Sequence, residues 1–236
     1  GTFQEEGEQF GLDLKGHFTQ SALFDMDLDG DLDLYLISHP GTFNHSTDLV
    51  TLQDDINAGM VESDILLENV GGTFVDITRQ DGITEFGYSL GLAVSDINLD
   101  GYPDIFISND FDEPDHLFIN QQNNTFKDEA LNYFKHSSNY SMGSDIGDIN
   151  NDGLQDYVSV DMAFQDHFTS KMNMASMDLQ KFYARVGLGW GYQYMHNMLQ
   201  VNTGNGSFQE IAQYAGIEKS DWSWGPILAD FNGDGM

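Results

Sequence analysis

Short runs of apolar and β-branched residues recur along the chain, each preceded by a cluster of Asp, Asn and Gly. Leu32-Asp33-Leu34-Tyr35-Leu36-Ile37, Asp104-Ile105-Phe106-Ile107 and Asp156-Tyr157-Val158-Ser159-Val160 are short and rich in β-formers, which predicts strands. Each repeat reads as four strands. The first leads into the acidic loop, as in Tyr88 to Ser95, and the second leaves it. The third is Asp64-Ile65-Leu66-Leu67-Glu68-Asn69, His116-Leu117-Phe118-Ile119-Asn120 or Met198-Leu199-Gln200-Val201-Asn202. The fourth carries Gly72-Thr73-Phe74-Val75-Asp76, Asn124-Thr125-Phe126-Lys127-Asp128 or Gly206-Ser207-Phe208-Gln209-Glu210, with a further copy at Gly1-Thr2-Phe3-Gln4-Glu5.

From each of these Phe residues to the next loop Asp the distance is 22 residues: 3 to 25, 74 to 96, 126 to 148 and 208 to 230. From the loop back to the next Phe it varies, at 49, 30 and 60 residues. Constant spacing on one side and free length on the other is what a stacked repeat with loop insertions predicts. Gly11-Leu12, Gly82-Ile83 and Gly216-Ile217 follow eight residues after the Phe, and Phe134-Lys135 departs from that pattern. The expected fold is all-β: a β-propeller fragment of about three four-stranded blades plus flanking strands. Residues 1–236 then form one unit, with repeats near 11–78, 82–130 and 134–212 and a truncated one at 216–236. Insertions fall at 39–63 and 162–196, and the remaining blades are expected in the same parent chain.

The acidic loops share one register. Positions 1, 3, 5 and 9 are Asp25, Asp27, Asp29 and Asp33 in the first, and Asp96, Asn98, Asp100 and Asp104 in the second. They are Asp148, Asn150, Asp152 and Asp156 in the third; the fourth has Asp230, Asn232 and Asp234 before the chain ends. Oxygen ligands at 1, 3 and 5 with Gly at 6 make the first half of a calcium loop, and the backbone carbonyl of position 7 (Asp31, Tyr102 or Leu154) adds a ligand. An EF-hand needs Glu at position 12 and a helix; here position 12 is Leu36, Ile107 or Ser159 and a strand follows. Asp, Asn and Gly also make ordinary turns. A turn needs no such set of carboxylates, however, and without a cation Asp25, Asp27, Asp29 and Asp33 repel one another. Three complete Ca2+ sites and a fourth, truncated one are expected.

Lys plus Arg number 8 against 39 Asp plus Glu, a formal charge of −31. Four divalent ions would offset only a quarter of that, so most of the acidity reads as a solvated surface. Phosphate backbones are repelled, which argues against nucleic acid, and no apolar run reaches the ~18 residues of a membrane span. Without Cys there is neither a disulfide framework nor thiol chemistry. No His-Glu-x-x-His or phosphate-binding Gly loop is present and no catalytic constellation stands out, so the expectation is a non-catalytic protein. Calcium loops of modest affinity suit extracellular fluid, which predicts a secreted or cell-surface location.

The loop register, Leu-x-x-Asn in the third strand and Gly-Thr-Phe-x-Asp in the fourth together resemble the FG-GAP/VCBS repeat family, the β-propeller repeat of integrin α-subunits and many secreted bacterial proteins. Ser220-Asp221-Trp222-Ser223-Trp224-Gly225-Pro226 is similar to the subfamily that carries ASPIC/UnbV domains, the cartilage acidic protein-like group. The resemblance implies a seven- or eight-bladed propeller, calcium in the hairpin loops and an adhesive, surface-binding role. The expected partner is an extracellular protein or glycan. A polysaccharide-active, lyase-like propeller is the alternative.

Strand direction puts both insertions on the face opposite the loops. The residue eight before each first loop Asp lies there too: His17, Tyr88, Tyr140 and Trp222. With Trp224 they either pack between blades or form a ligand face. In the insertion at 162–196 Ser176 can cap a helix in which Leu179, Phe182, Tyr183 and Val186 share a face, with Gly187 as its stop. This segment holds Lys171, Lys181 and Arg185, and six of the ten Met lie in it or just after: Met162, Met172, Met174, Met177, Met195 and Met198. It either recognises a partner or covers the apolar blade face. The first insertion is polar and carries Asp54, Asp55 and Glu62.

Overall fold

The computed structural model describes residues 2–41, 49–58, 64–80, 82–83, 86–173 and 178–233. The first antiparallel sheet is β1 (Phe18–Phe24), β2 (Asp33–Ser38), β3 (Ile65–Asn69) and β4 (Phe74–Asp76), in sequence order. The second repeats it with β5 (Tyr88–Ser95), β6 (Asp104–Asp110), β7 (His116–Asn120) and β8 (Phe126–Asp128). After β9 (Ser137–Ser138) the third has β10 (Gly143–Gly147) and β11 (Asp156–Val160). The chain then makes β12 (Gln193–Tyr194), parallel to β9, and completes the sheet with β13 (Met198–Asn202) and β14 (Phe208–Glu210). The protein is mostly β, and three four-stranded meanders in a row are the arrangement of propeller blades. Phe74, Phe126 and Phe208 each open a fourth strand, whereas Phe3 lies outside any strand and is fully exposed.

The first strands adjoin one another, β5 lying against β1 on one side and β10 on the other. The core sits between the sheets. Alternate side chains of a strand face opposite ways, so Ile105 and Ile107 of β6 join Tyr35, Ile37 and Leu66 of the first blade. Phe106 turns the other way, against Phe134, Tyr157 and Phe208. Every residue of β6 and β7 is consequently buried, and each large apolar side chain contributes about 1.5–3 kcal/mol.

The recurrent glycines are explained where the blades meet. Gly11 and Gly82 have φ of +75° and +85°, a conformation that disfavours side chains. A Cβ there would lie 2.4 Å from the Phe74 carbonyl and 2.5 Å from that of Phe126, each in the fourth strand of the blade that the glycine leads into. In the third repeat Phe134 replaces the glycine with φ −103°, and its ring packs on Phe208 at 4.9 Å.

Away from the loops, a polar group just before each third strand closes the blade. Asp64 accepts from Ser38 N–H at 2.7 Å, Asp115 from Asn109 N–H at 2.9 Å and Asn197 from Asp161 N–H at 2.8 Å. Each also reaches the next blade or the segment after it. Ser89 Oγ donates to Asp64 at 3.2 Å, Ser141 Oγ to Asp115 at 2.8 Å, and Asn197 Nδ2 donates to Ser220 Oγ at 2.7 Å.

The insertions carry more helix than expected. α1 (Leu49–Asn57) lies in the first, and the second holds α3 (His167–Asn173) and α4 (Leu179–Leu188), with one-turn helices α2 (Ala130–Tyr133) and α5 (Ala212–Ala215) following β8 and β14. Asp178 caps α4 by accepting from Gln180 and Lys181 N–H, and Gly189 ends it at φ +86°. Gly187 therefore lies inside the helix, and Ser176 lies outside the described residues, as do Met174, Met177 and Glu62. The expected apolar stripe is only half realised: Leu179 and Tyr183 are exposed, while Arg185 is buried. Met162 and Met198 are buried in the blade and Met172 is exposed, so these three form no common Met surface. α1 and α4 meet over the second blade, where Leu49, Phe86 and Trp190 cluster and Trp190 Nε1 donates to Gln53 at 2.8 Å.

Burial pushes the Asp115 carboxyl up to about 7, against bonds from Asn109 N–H and Ser141 Oγ. A raised folded value means that stability is fullest below about pH 4 and falls as pH climbs towards 7. The cost to the charged form is roughly 4 kcal/mol. Asp115→Asn keeps an acceptor for Asn109 and loses the titration. Its melting midpoint should therefore fall less than that of the parent between pH 4 and pH 8; parallel profiles would show that Asp115 carries no such penalty.

Candidate metal centre and ligand face

The three complete loops share one backbone course. Position 4 is left-handed although it is Leu28, Leu99 or Asn151, with φ of 63°, 57° and 59°. Gly30, Gly101 and Gly153 at position 6 have φ of 97°, 92° and 85°. The first Asp turns inward and accepts from the position-6 N–H: Asp25 from Gly30 at 3.1 Å, Asp96 from Gly101 at 2.9 Å, Asp148 from Gly153 at 2.9 Å. Position 3 accepts from the position-5 N–H, in Asp27, Asn98 and Asn150, at 3.2, 3.0 and 2.9 Å. Position 5 accepts from position 7, in Asp29, Asp100 and Asp152, at 3.0, 2.9 and 2.9 Å. The side chains thus curl around a common centre.

The ninth-position Asp is buried in every blade: Asp33, Asp104 and Asp156 are 2%, 1% and 0% exposed. One oxygen accepts from position 2, namely Met26, Ile97 or Ile149 N–H, at 2.9, 2.9 and 3.0 Å. The other accepts from the last residue of the third strand, Asn69, Asn120 or Asn202 N–H, at 2.9, 2.8 and 2.8 Å. A carboxylate oxygen retains a second lone pair, so the clip leaves room for a cation. The Asn side chains continue outward. Asn120 Nδ2 donates to the Met26 carbonyl at 2.8 Å and Asn202 Nδ2 to the Ile97 carbonyl at 3.1 Å, each in the preceding blade. Asn69 donates to Leu32 O within its own blade, at 3.2 Å.

The first loop fits a cation best. Carboxylate oxygens of Asp25, Asp27 and Asp29 lie within 4.8 Å of one another, and Asp25 Oδ1 is buried without a donor among the described residues. Asp31 is held above its ordinary carboxylate value by desolvation and by the charges of Asp29, Asp27 and Asp25. In the second and third loops position 3 is Asn, which removes one charge. Burial raises Asp100, but bonds from Gln122, Tyr102 N–H and Asn98 outweigh it and hold it low. Asp148 is held low chiefly by the Gly153 N–H. Burial lifts Asp104 to about 6 and raises Asp33 and Asp156. Tyr102 and Leu154, at position 7, are half-buried. In the fourth loop Asp230 accepts from Gly233 N–H at 2.6 Å, Asn232 is exposed, and Asp234 lies outside the described residues.

On the opposite face the aromatics form a string. Ring centroids run from His17 to His39 at 5.3 Å, His39 to Tyr88 at 6.4 Å, Tyr88 to Phe111 at 5.0 Å and Phe111 to Tyr140 at 6.4 Å. His39 and Phe111 were not expected there, since both follow second-strand ends outside the motif spacing. Trp222 instead meets Phe164 at 6.3 Å, and both Trp222 and Trp224 are largely exposed. The Trp224 carbonyl abuts Gly143 of β10.

Fold and loops together define a propeller-type repeat scaffold. Residues 96–159 and 187–236 match the FG-GAP-like repeat, so these two regions, which contain the second, third and fourth loops, are FG-GAP-like repeats. No curated protein matches the chain.

The contrast between the third-strand amides predicts unequal costs. Asn120→Ala strips the Met26 carbonyl of its bond from the next blade and should cost about 1–3 kcal/mol. Asn69→Ala, whose bonds stay local and partly exposed, should cost less by urea unfolding. Equal costs would mean that the amide does not join the blades.

Proposed function

We propose that this chain is a calcium-stabilised, non-catalytic propeller scaffold whose face opposite the loops binds an extracellular protein or glycan. The observation that carries the calcium reading is the convergence of Asp25, Asp27 and Asp29 carboxylates, with one buried oxygen lacking a donor. Asp25, Asp27, Asp29 and Asp33 would hold the ion in the first loop, and the corresponding Asp and Asn side chains would do so in the second and third. The carbonyls of Asp31, Tyr102 and Leu154 would complete each set. A bound calcium ion supplies charge neutralisation and cross-linking. The non-catalytic reading is supported by the loop carboxylates themselves, which are engaged by backbone N–H groups rather than poised for proton transfer.

Extracellular or cell-surface location follows from the same loops, since extracellular modules bind calcium at about 10⁻⁴–10⁻³ M. The aromatic string and the helices over it support a ligand-binding role for the opposite face, because Tyr and other aromatics are enriched at interfaces. Placement in the ASPIC/UnbV-type subfamily rests on the segment Ser220 to Pro226.

Affinity in such loops follows ligand charge, so the first loop should be the tightest. Asp27→Asn should bring it down towards the other two in a calcium titration followed at the Gly30, Gly101 and Gly153 amides. Asp100→Ala should lower calcium affinity and stability together. An Asp100→Ala protein melting like the parent in both saturating calcium and chelator would refute the structural role.

A further inference from the structure

A cleft of about 210 Å³ opens between α4 and the rim of the second and third blades. We infer that this cleft, lined by Phe111, Tyr140, Phe182, Asp112, Lys181 and Arg185, binds one neutral, hexose-type sugar ring. The inference rests on the scaffold reading above and gives its ligand class.

Size is the first argument. The volume lies below the roughly 300–1,000 Å³ of sites for drug-sized ligands, so one small ring fits and a chain does not enter. The second is the wall chemistry. Phe111 and Tyr140 stand edge to face at 6.4 Å, and Phe182 closes the α4 side. Rings of this kind offer flat apolar faces to the C–H side of a pyranose. Between them lie polar groups that both donate and accept, which matches neighbouring hydroxyls.

Charge balance selects among polar ligands. Lys181 and Arg185 are offset in the cleft by Asp112 and Asp178. Lys181 Nζ is 3.3 Å from Asp112, and Arg185 is ion-paired to the same carboxylate. A charged ligand therefore gains no net attraction, whereas a hydroxylated neutral one loses none. The polar groups are also held in place. Arg185 is 5% exposed, donates to both Asp112 and Asn139, and its Nε has no partner among the described residues. Burial alone would raise Asp112, but the Arg185 hydrogen bond and charge, with Lys181, keep it below its ordinary value, so it stays an acceptor. The cleft lies at Tyr140, the end of the aromatic string, where a longer glycan can continue along the face.

The test is saturation-transfer NMR on the 236-residue chain in millimolar calcium, with the methyl glycosides of glucose, mannose, galactose, N-acetylglucosamine and glucuronic acid as probes. At least one neutral probe should receive saturation. Phe182→Ala should weaken its binding about tenfold, and Lys181→Ala, at an exposed position, should weaken it without touching the fold. Phe168→Ala, exposed and outside the cleft, should leave it unchanged. No saturation of any neutral probe, saturation of the glucuronoside alone, or equal signals in parent and cleft variants would overturn the inference. Calcium-dependent melting in the same samples separates the two readings: if it persists without sugar binding, the scaffold stands and the cleft assignment falls.

Discussion

The ninth-position aspartate is the constraint on which the rest of the structure depends. Asp33, Asp104 and Asp156 are buried carboxylates, and burying a charge is costly unless its oxygens are satisfied. Each meets that requirement with two backbone N–H groups, one from its own loop and one from the end of the third strand. The same bonds fix the loop to the sheet, orient positions 1, 3 and 5 inward, and place the third-strand Asn where its side chain reaches the preceding blade. Loop, sheet and blade stacking are thus joined through one residue.

Between the blades this polar seam works with apolar packing. Ile105, Ile107 and Phe106 show how a strand buried on both faces supplies two cores at once. At the far end Asp64, Asp115 and Asn197 repeat the device, with Ser89, Ser141 and Ser220 as partners across the seam. The stack is therefore hydrophobic in the middle and hydrogen-bonded at both ends. Its loop end is strongly acidic and suited to a cation, while its other end is roofed by α1 and α4 and carries aromatic rings. The proposed calcium-dependent scaffold, with its ligand face opposite the loops, would use this polarity.

Much of this was legible in the residue pattern, because strands and loops have local causes. Apolar alternation, turn residues and the 22-residue spacing place the four strands of each blade and the loop register. What escaped depends on backbone geometry inside the turns, on the choice between neighbouring caps, or on contacts distant in sequence. Nothing about Leu28 or Leu99 marks a left-handed residue, since the turn imposes it and exposed Leu is indifferent to packing. The α4 cap was sought at Ser176 because Ser is a common cap, but Asp178 serves equally and lies next to the helix. Arg185 reads as a surface cation and becomes buried only through Asp112 and Asn139, far away in the chain. The far-end polar groups did carry a detectable regularity: Asp64, Asp115 and Asn197 all lie five residues before the third-strand Asn. The aromatic face was partly legible, since His17, Tyr88 and Tyr140 join it while Trp222 turns to Phe164.

Amide hydrogen exchange in chelator tests the central claim most directly. If the ninth-position aspartates themselves clip the loops to the sheets, the amides of Met26, Ile97 and Ile149 and of Asn69, Asn120 and Asn202 will be protected far above the neighbouring loop amides, even without calcium. Calcium should then add protection mainly at positions 5 to 7. Rapid exchange of all six amides in chelator, recovered only with calcium, would contradict the account and assign the clip to the ion.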